Sequence, residues 1–135
     1  MCVHITNATI YISNPSLLGS NLFNQIKEIK SYKDLSKEGS ATGLVLVLDF
    51  GEVTFNFMPH DQIKIHLQGF ASYTQQTIED KDDQVRILSR IRDVQLVLGG
   101  IFTIQPGAQD KMKEFIFDFK DKLGGLLFMD NGIFE

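Results

Sequence analysis

The chain holds one cysteine, no tryptophan and only three prolines among its 135 residues, and each scarcity closes off a class of protein. Cys2 has no partner, so a disulfide framework is excluded and a reducing compartment, the cytoplasm, is the expected location. No low-complexity tract or internal repeat offers a linker at which to divide the chain, so a single domain over residues 1–135 is expected. Long hydrophobic runs are missing as well. Leu44 to Leu48 and Leu126 to Met129 are far shorter than the roughly 20 residues that span a bilayer, and the first residues lack the basic-then-apolar pattern of a signal peptide. There is no excess of positive charge: 13 Lys and Arg stand against 17 Asp and Glu, a net charge of −4. That sign is wrong for a non-specific grip on a phosphate backbone. The expectation is a protein that binds neither membrane nor nucleic acid.

What is present is ordinary core material, with 43% hydrophobic residues including eleven phenylalanines. A chain of this length buries roughly two-thirds of the surface its unfolded form exposes, so neither metal nor disulfide is needed to hold it together. Residues 3–12 are rich in β-branched and aromatic side chains and predict a strand, closed by Asn14-Pro15-Ser16. Leu18, Leu22, Phe23, Ile26 and Ile29 recur at helical spacing and predict a helix of about four turns, with Ser16 as its cap. Residues 31–43 are polar and aperiodic and predict a loop. Leu44 to Leu48 and Val53 to Phe57 predict a hairpin turned at Asp49-Phe50-Gly51-Glu52.

A helix opening at Pro59 carries the stripe Ile63, Leu67, Phe70, Thr74 and Ile78, and a second helix repeats Val85, Leu88 and Ile91. Residues 94–104 predict a strand whose Gly99-Gly100 pair marks a bulge or a close backbone approach. Met112, Phe115, Ile116, Phe119 and Leu123 form the inner face of a last helix, with its lysines and carboxylates outward and Gly124-Gly125 as its stop. Leu126 to Met129 is the closing strand, and Asp130-Asn131-Gly132 turns into a stub at Ile133 to Glu135. The element order predicts an α+β fold: a ferredoxin-like open sheet backed by helices, with a C-terminal helix-strand extension.

No group of residues is spaced for catalysis. His4, His60 and His66 offer no pair one helical turn apart, so no metal site is expected. Cys2 has no neighbour that would activate it beyond His4, two residues along a strand. Asp49-Phe50-Gly51 matches a kinase tripeptide without the glycine-rich loop, strand lysine and catalytic loop that give it meaning. Gly99-Gly100 and Gly124-Gly125 lack phosphate-cradling spacing, so no nucleotide cofactor is expected. The acidic residues at 79–83 read as a solvated run.

The polar groups able to serve a ligand in a cavity between sheet and helices are His60, His66, Tyr73, Arg86 and Arg90. Asp82, Asp83 and Asp93 stand ready to neutralise the arginines on the surface, Asp82 one turn from Arg86. Phe55, Phe57 and Phe117 are aromatic beyond what one core face needs, and predict a contact surface.

The segment Arg90-Ile91-Arg92-Asp93-Val94-Gln95-Leu96-Val97-Leu98-Gly99, followed by a helix, Leu123-Gly124-Gly125-Leu126-Leu127-Phe128 and Asp130-Asn131-Gly132, resembles a family of uncharacterised bacterial proteins. The resemblance lies in the last third of the chain and implies no activity and no catalytic residue. In some members similar segments precede a further domain, so the chain also reads as the N-terminal regulatory part of a longer protein. The leading expectation is a non-enzymatic interaction or binding module that associates with a protein partner or with itself as a homodimer. Its acidity fits an immunity- or antitoxin-like factor that covers a basic partner. The alternative is a small-ligand-binding protein or enzyme using the five polar residues above.

Overall fold

The computed structural model describes residues 8–34, 43–129 and 132–135. Its elements run β1 (Ala8–Ile12), α1 (Ser20–Gln25), β2 (Ile29–Asp34), β3 (Gly43–Leu48), β4 (Gly51–Phe57), α2 (His60–Thr77), α3 (Lys81–Arg92), β5 (Leu96–Ile104), α4 (Gln109–Lys122), β6 (Leu126–Met129) and β7 (Gly132–Phe134). The strands form one seven-stranded open sheet in the order β2-β3-β4-β5-β1-β6-β7, and every neighbouring pair is antiparallel. The fold is α+β. The ferredoxin-like plan is not confirmed: β5, α4 and β6 do form a split βαβ unit with β1 between its strands, but the sheet has seven strands and β4 reaches its neighbour β5 through α2 and α3 rather than directly.

Side chains alternate across a strand, so each strand feeds two layers. On one face Ile10 and Ile12 of β1, Leu46 of β3, Phe55 of β4 and Leu98 and Phe102 of β5 meet α1 and α4 in the main core. Phe119 is its hub. Its ring stacks on Phe55 at 5.5 Å and on Phe115 at 5.7 Å, and lies 6.5 Å from Phe23 of α1. On the other face Tyr11, Val97 and Leu126, from the adjacent strands β1, β5 and β6, meet Ile63 and Phe70 of α2 and Ile87 and Ile91 of α3. That second layer takes no residue from β2, β3 or β4 among the described residues. Beyond the helices this face carries Val45, Val47, Thr54 and Ile101, and Ile101 is 53% exposed.

Several expectations shift. The four-turn helix is only six residues long, preceded by a 3-10 turn at Pro15–Leu17, where Asn14 rather than Ser16 supplies the cap by accepting from the Ser16 N–H at 3.3 Å. Ile29 to Asp34, read as helix end and loop, is an edge strand paired to β3. Only one edge of such a strand has a partner, and its side chains stay polar, so neither alternation nor propensity announces it. Val85 is 66% exposed, because the buried row of α3 is Ile87 and Ile91, spaced by four. Gly99 and Gly100 keep the register of β4 and β1 unbroken, so there is no bulge. Gly100 is a close approach instead: a Cβ there would lie 3.2 Å from the Ala8 carbonyl oxygen and 3.1 Å from the Phe102 ring.

The hairpin at Gly51 forms as expected, as do Gly124 in left-handed backbone (φ 63) after α4 and the short β7. Cys2, His4, the start of the first predicted strand, the loop at 35–42 and the Asp130-Asn131 turn lie outside the described residues.

Truncating the hub ring should leave a void that its neighbours cannot fill, whereas a change on the uncovered half-face should not. Phe119→Ala is expected to lower unfolding free energy by about 3–5 kcal/mol and Ile101→Thr by no more than about 0.5 kcal/mol. Paired urea denaturation curves check the difference.

Candidate functional site

The α2–α3 hairpin is held in place before any site is formed. Asp80 caps α3 by accepting from the Asp83 N–H at 3.0 Å, and the Gln84 side-chain amide donates to the carbonyls of Gln75 and Ile78 at 3.0 and 3.2 Å. These bonds satisfy carbonyls that the end of α2 would otherwise leave orphaned, and they fix the corner between the helices. Along α2, residues four apart share a face. His66 and Phe70 turn to the sheet, where the Tyr11 ring stacks on Phe70 at 4.4 Å and the Tyr11 hydroxyl lies 2.8 Å from His66 Nε2. Phe128 of β6 meets Phe70 and Tyr73 edge-on at 5.5 and 5.3 Å. The next row round the helix starts at Ile63, buried in the same layer, and continues through half-exposed Leu67 and Ala71 on the side that shares a groove with α3.

Between those rows lies a groove of about 830 Å³. Ile63, Leu67 and Ala71 from α2, Leu88 and Ile91 from α3, and Val94 at the entry to β5 give it an apolar lining. Leu67, Ala71 and Leu88 remain half-exposed in it. Its polar members are His60, Lys64, Gln68 and Gln75 from α2, with Arg92 and Gln95 opposite, and no carboxylate is among them. The size lies within the roughly 300–1,000 Å³ of typical ligand sites, and the composition of apolar walls with a few polar groups fits the same class. A smaller hollow of about 320 Å³ lies between α4 and the β3–β4 turn, with Glu28, Lys111, Glu114 and Asp118 at its margin.

Of the five candidate ligand residues, only His60 lines the large groove. His66 is committed to Tyr11, and Tyr73 packs on Phe128. Arg86 grips the Glu135 carboxylate through Nε at 2.8 and 2.9 Å and through Nη2 at 2.6 Å, with Asp83 also 2.8 Å away. It pairs with Asp83 at i−3 rather than with Asp82. Arg90 donates to the Gly124 carbonyl at 3.0 Å and lies 3.8 Å from Glu135. Glu135 is therefore held below the usual carboxylate range, chiefly by the Arg86 hydrogen bond, and Arg86 is pushed up by Glu135 and Asp83.

Of the three aromatics expected at a contact surface, one is buried and two are half-buried. Phe55 is fully buried because it shares the α4 face of the sheet, Phe57 packs partly against the main core, and Phe117 meets Phe134 of β7 edge-on at 5.0 Å. Sequence spacing also put Lys120 outward with the other charges of α4. It is 3% exposed, with its ammonium 2.6 Å from the Glu135 main-chain oxygen and 2.7 Å from Asp121. Its place between Phe119 and Leu123 on the inner stripe was the available signal. The groove lining was missed because it needs two helices at once: Lys64 and Arg92 lie on different elements.

Among the described residues no three His, Cys, Asp or Glu side chains come together as metal ligands, and no helix is long and apolar enough to cross a membrane. No protein-family model, no curated protein and no solved structure matches the chain.

His66 is set against the Tyr11 and Phe70 rings, and burial lowers its pKa from 6.5, while burial raises that of Tyr11. A base whose folded-state pKa is depressed binds protons more readily when unfolded, so its stabilising contribution is complete above pH 6.5 and is lost as pH falls through the folded-state value. Unfolding free energy should decline between pH 7.5 and 5, and His66→Gln, which keeps an acceptor for Tyr11 without titrating, should flatten that decline. Urea titrations across this range decide it, and an unchanged slope in the variant would place the titrating group elsewhere.

Proposed function

We propose that the chain is a non-catalytic binding module whose recognition surface is the groove between α2 and α3. The observation that carries this reading is a contiguous lining of half-exposed Leu67, Ala71 and Leu88 over buried Ile63 and Ile91, framed by a capped helical hairpin. Preformed concave apolar surface lowers the ordering cost of binding, which is what separates a binding site from scattered surface hydrophobics. The one close pairing of a histidine with a hydroxyl among the described residues, Tyr11 with His66, is used in packing: Tyr11 is 3% exposed and lies outside the groove lining.

Among the alternatives held open by the sequence, this reading favours a ligand in a cavity bounded by helices over contact through surplus phenylalanines. A basic partner of the immunity or antitoxin kind finds no carboxylate in this groove. The resemblance of residues 87–135 to uncharacterised bacterial proteins adds no activity to weigh against it.

The test is occupancy by a neutral apolar fluorophore. N-phenyl-1-naphthylamine should show saturable, single-site enhancement with the native chain. Ala71→Trp, which fills the groove from a half-exposed position, should weaken it about tenfold, equivalent to about 1.4 kcal/mol. Thermal unfolding should show the variant intact. Sedimentation of both proteins reports whether a second copy of the chain occupies the groove instead. Absence of saturable binding, or equal binding by native chain and variant, would count against the reading.

A further inference from the structure

The charge of the groove lining narrows what it takes. The protein carries a net charge of −4, yet the lining contributes Lys64 and Arg92 and no Asp or Glu. Some cations elsewhere are paired, Lys30 with Asp49, Arg86 with Asp83 and Glu135, Lys120 with Asp121, and Lys122 with Asp118, and, among the described residues, others such as Lys27, Lys81 and Lys111 are not. Neither Lys64 nor Arg92 makes an ion pair among the described residues. Two cations at the margin of an apolar trough, one from each helix, are complementary to a molecule with an apolar body and an anionic head.

Length supports a chain-like body. The row Ile63, Leu67, Ala71 runs along α2 for about 12 Å at 1.5 Å per residue, and Leu88 and Ile91 face it from α3. Arginine presents a planar fork that matches a carboxylate in two parallel hydrogen bonds, and lysine adds a point charge. The amides of Gln68, Gln75 and Gln95 supply neutral donors and acceptors around the same opening.

Resting on the groove as the binding surface, we propose that its ligand is a linear aliphatic carboxylate, with the alkyl chain along Ile63, Leu67, Ala71 and Leu88 and the carboxylate toward Lys64 and Arg92. The apolar chain supplies most of the affinity, and the two cations select the head group. Selection by exposed charges is screened by salt, so it is strongest at low ionic strength.

The experiment compares decanoate, decan-1-ol and decylammonium, each below its aggregation limit, by displacement of N-phenyl-1-naphthylamine from the full chain at low salt. The expected result is decanoate binding at least about tenfold tighter than decylammonium, with the alcohol between. In the double variant K64Q/R92Q, whose substitutions sit on exposed side chains and leave the core intact, the three should converge to within about twofold; rising salt should compress the preference in the native chain too. Binding of all three without preference, or a carboxylate preference that survives in K64Q/R92Q, overturns the carboxylate assignment and leaves the groove reading standing. Failure of all three to displace a fluorophore that binds saturably overturns the carboxylate assignment alone, and displacement that Ala71→Trp does not weaken overturns both.

Discussion

The stacking of Tyr11 on Phe70 is the contact on which the second layer of this protein turns. Tyr11 sits on β1, a strand flanked by β5 and β6, so its position is fixed by hydrogen-bonded neighbours on both sides. Its ring offers a flat apolar surface to α2, and its hydroxyl is satisfied by His66 one turn earlier on the same helix. A phenol buried without a partner would cost about 1–3 kcal/mol, so the pair specifies one rotation of α2 about its axis. With His66, Phe70 and Ile63 toward the sheet, Leu67 and Ala71 look sideways into the space shared with α3. The groove follows from that rotation and needs no further device.

The two faces of the sheet differ because their helices do. On the main face, α1 and α4 cover β3, β4, β5 and β1 through a chain of stacked phenylalanines, and this is where most of the apolar side chains go. On the other, one helical hairpin rests over β5, β1 and β6 and reaches no further among the described residues. The strands beyond it carry Thr54, Asn56 and Glu52 between valines and Ile101, a half-polar surface compatible with water. A hairpin that meets the sheet through a small satellite core leaves a seam between its helices. The seam is apolar for the same reason that the satellite core is: both draw on neighbouring rows of α2 and α3.

Much of this was legible from residue order. Alternation at Val53 to Phe57, the stripe of the last helix from Met112 to Leu123, and Gly51 and Gly124 at their turns each reflect a local rule that the tertiary structure had no reason to override. Edge strand β2 was not legible, since Lys30, Ser31, Lys33 and Asp34 are chosen for water and its pairing is set by β3. Strand order was illegible too: β1 lies between β5 and β6, pairings that join residues about 90 and 120 positions apart. Of the candidate site, His60 was found, Leu88 was read only as part of its helix's apolar repeat, and Lys64 was not singled out. A groove is a property of two helices at a given spacing, and one-dimensional periodicity marks only the face of each that is most apolar.

Entry of the proposed ligand between α2 and α3 is directly measurable. Backbone amide chemical shifts, followed while decanoate is titrated into isotopically labelled protein, test it residue by residue. The largest changes should fall on Lys64, Leu67, Gln68, Leu88 and Arg92, with Val45, Val47 and Ile101 unmoved. Changes centred on the uncovered strands, or none at saturating ligand, would contradict it.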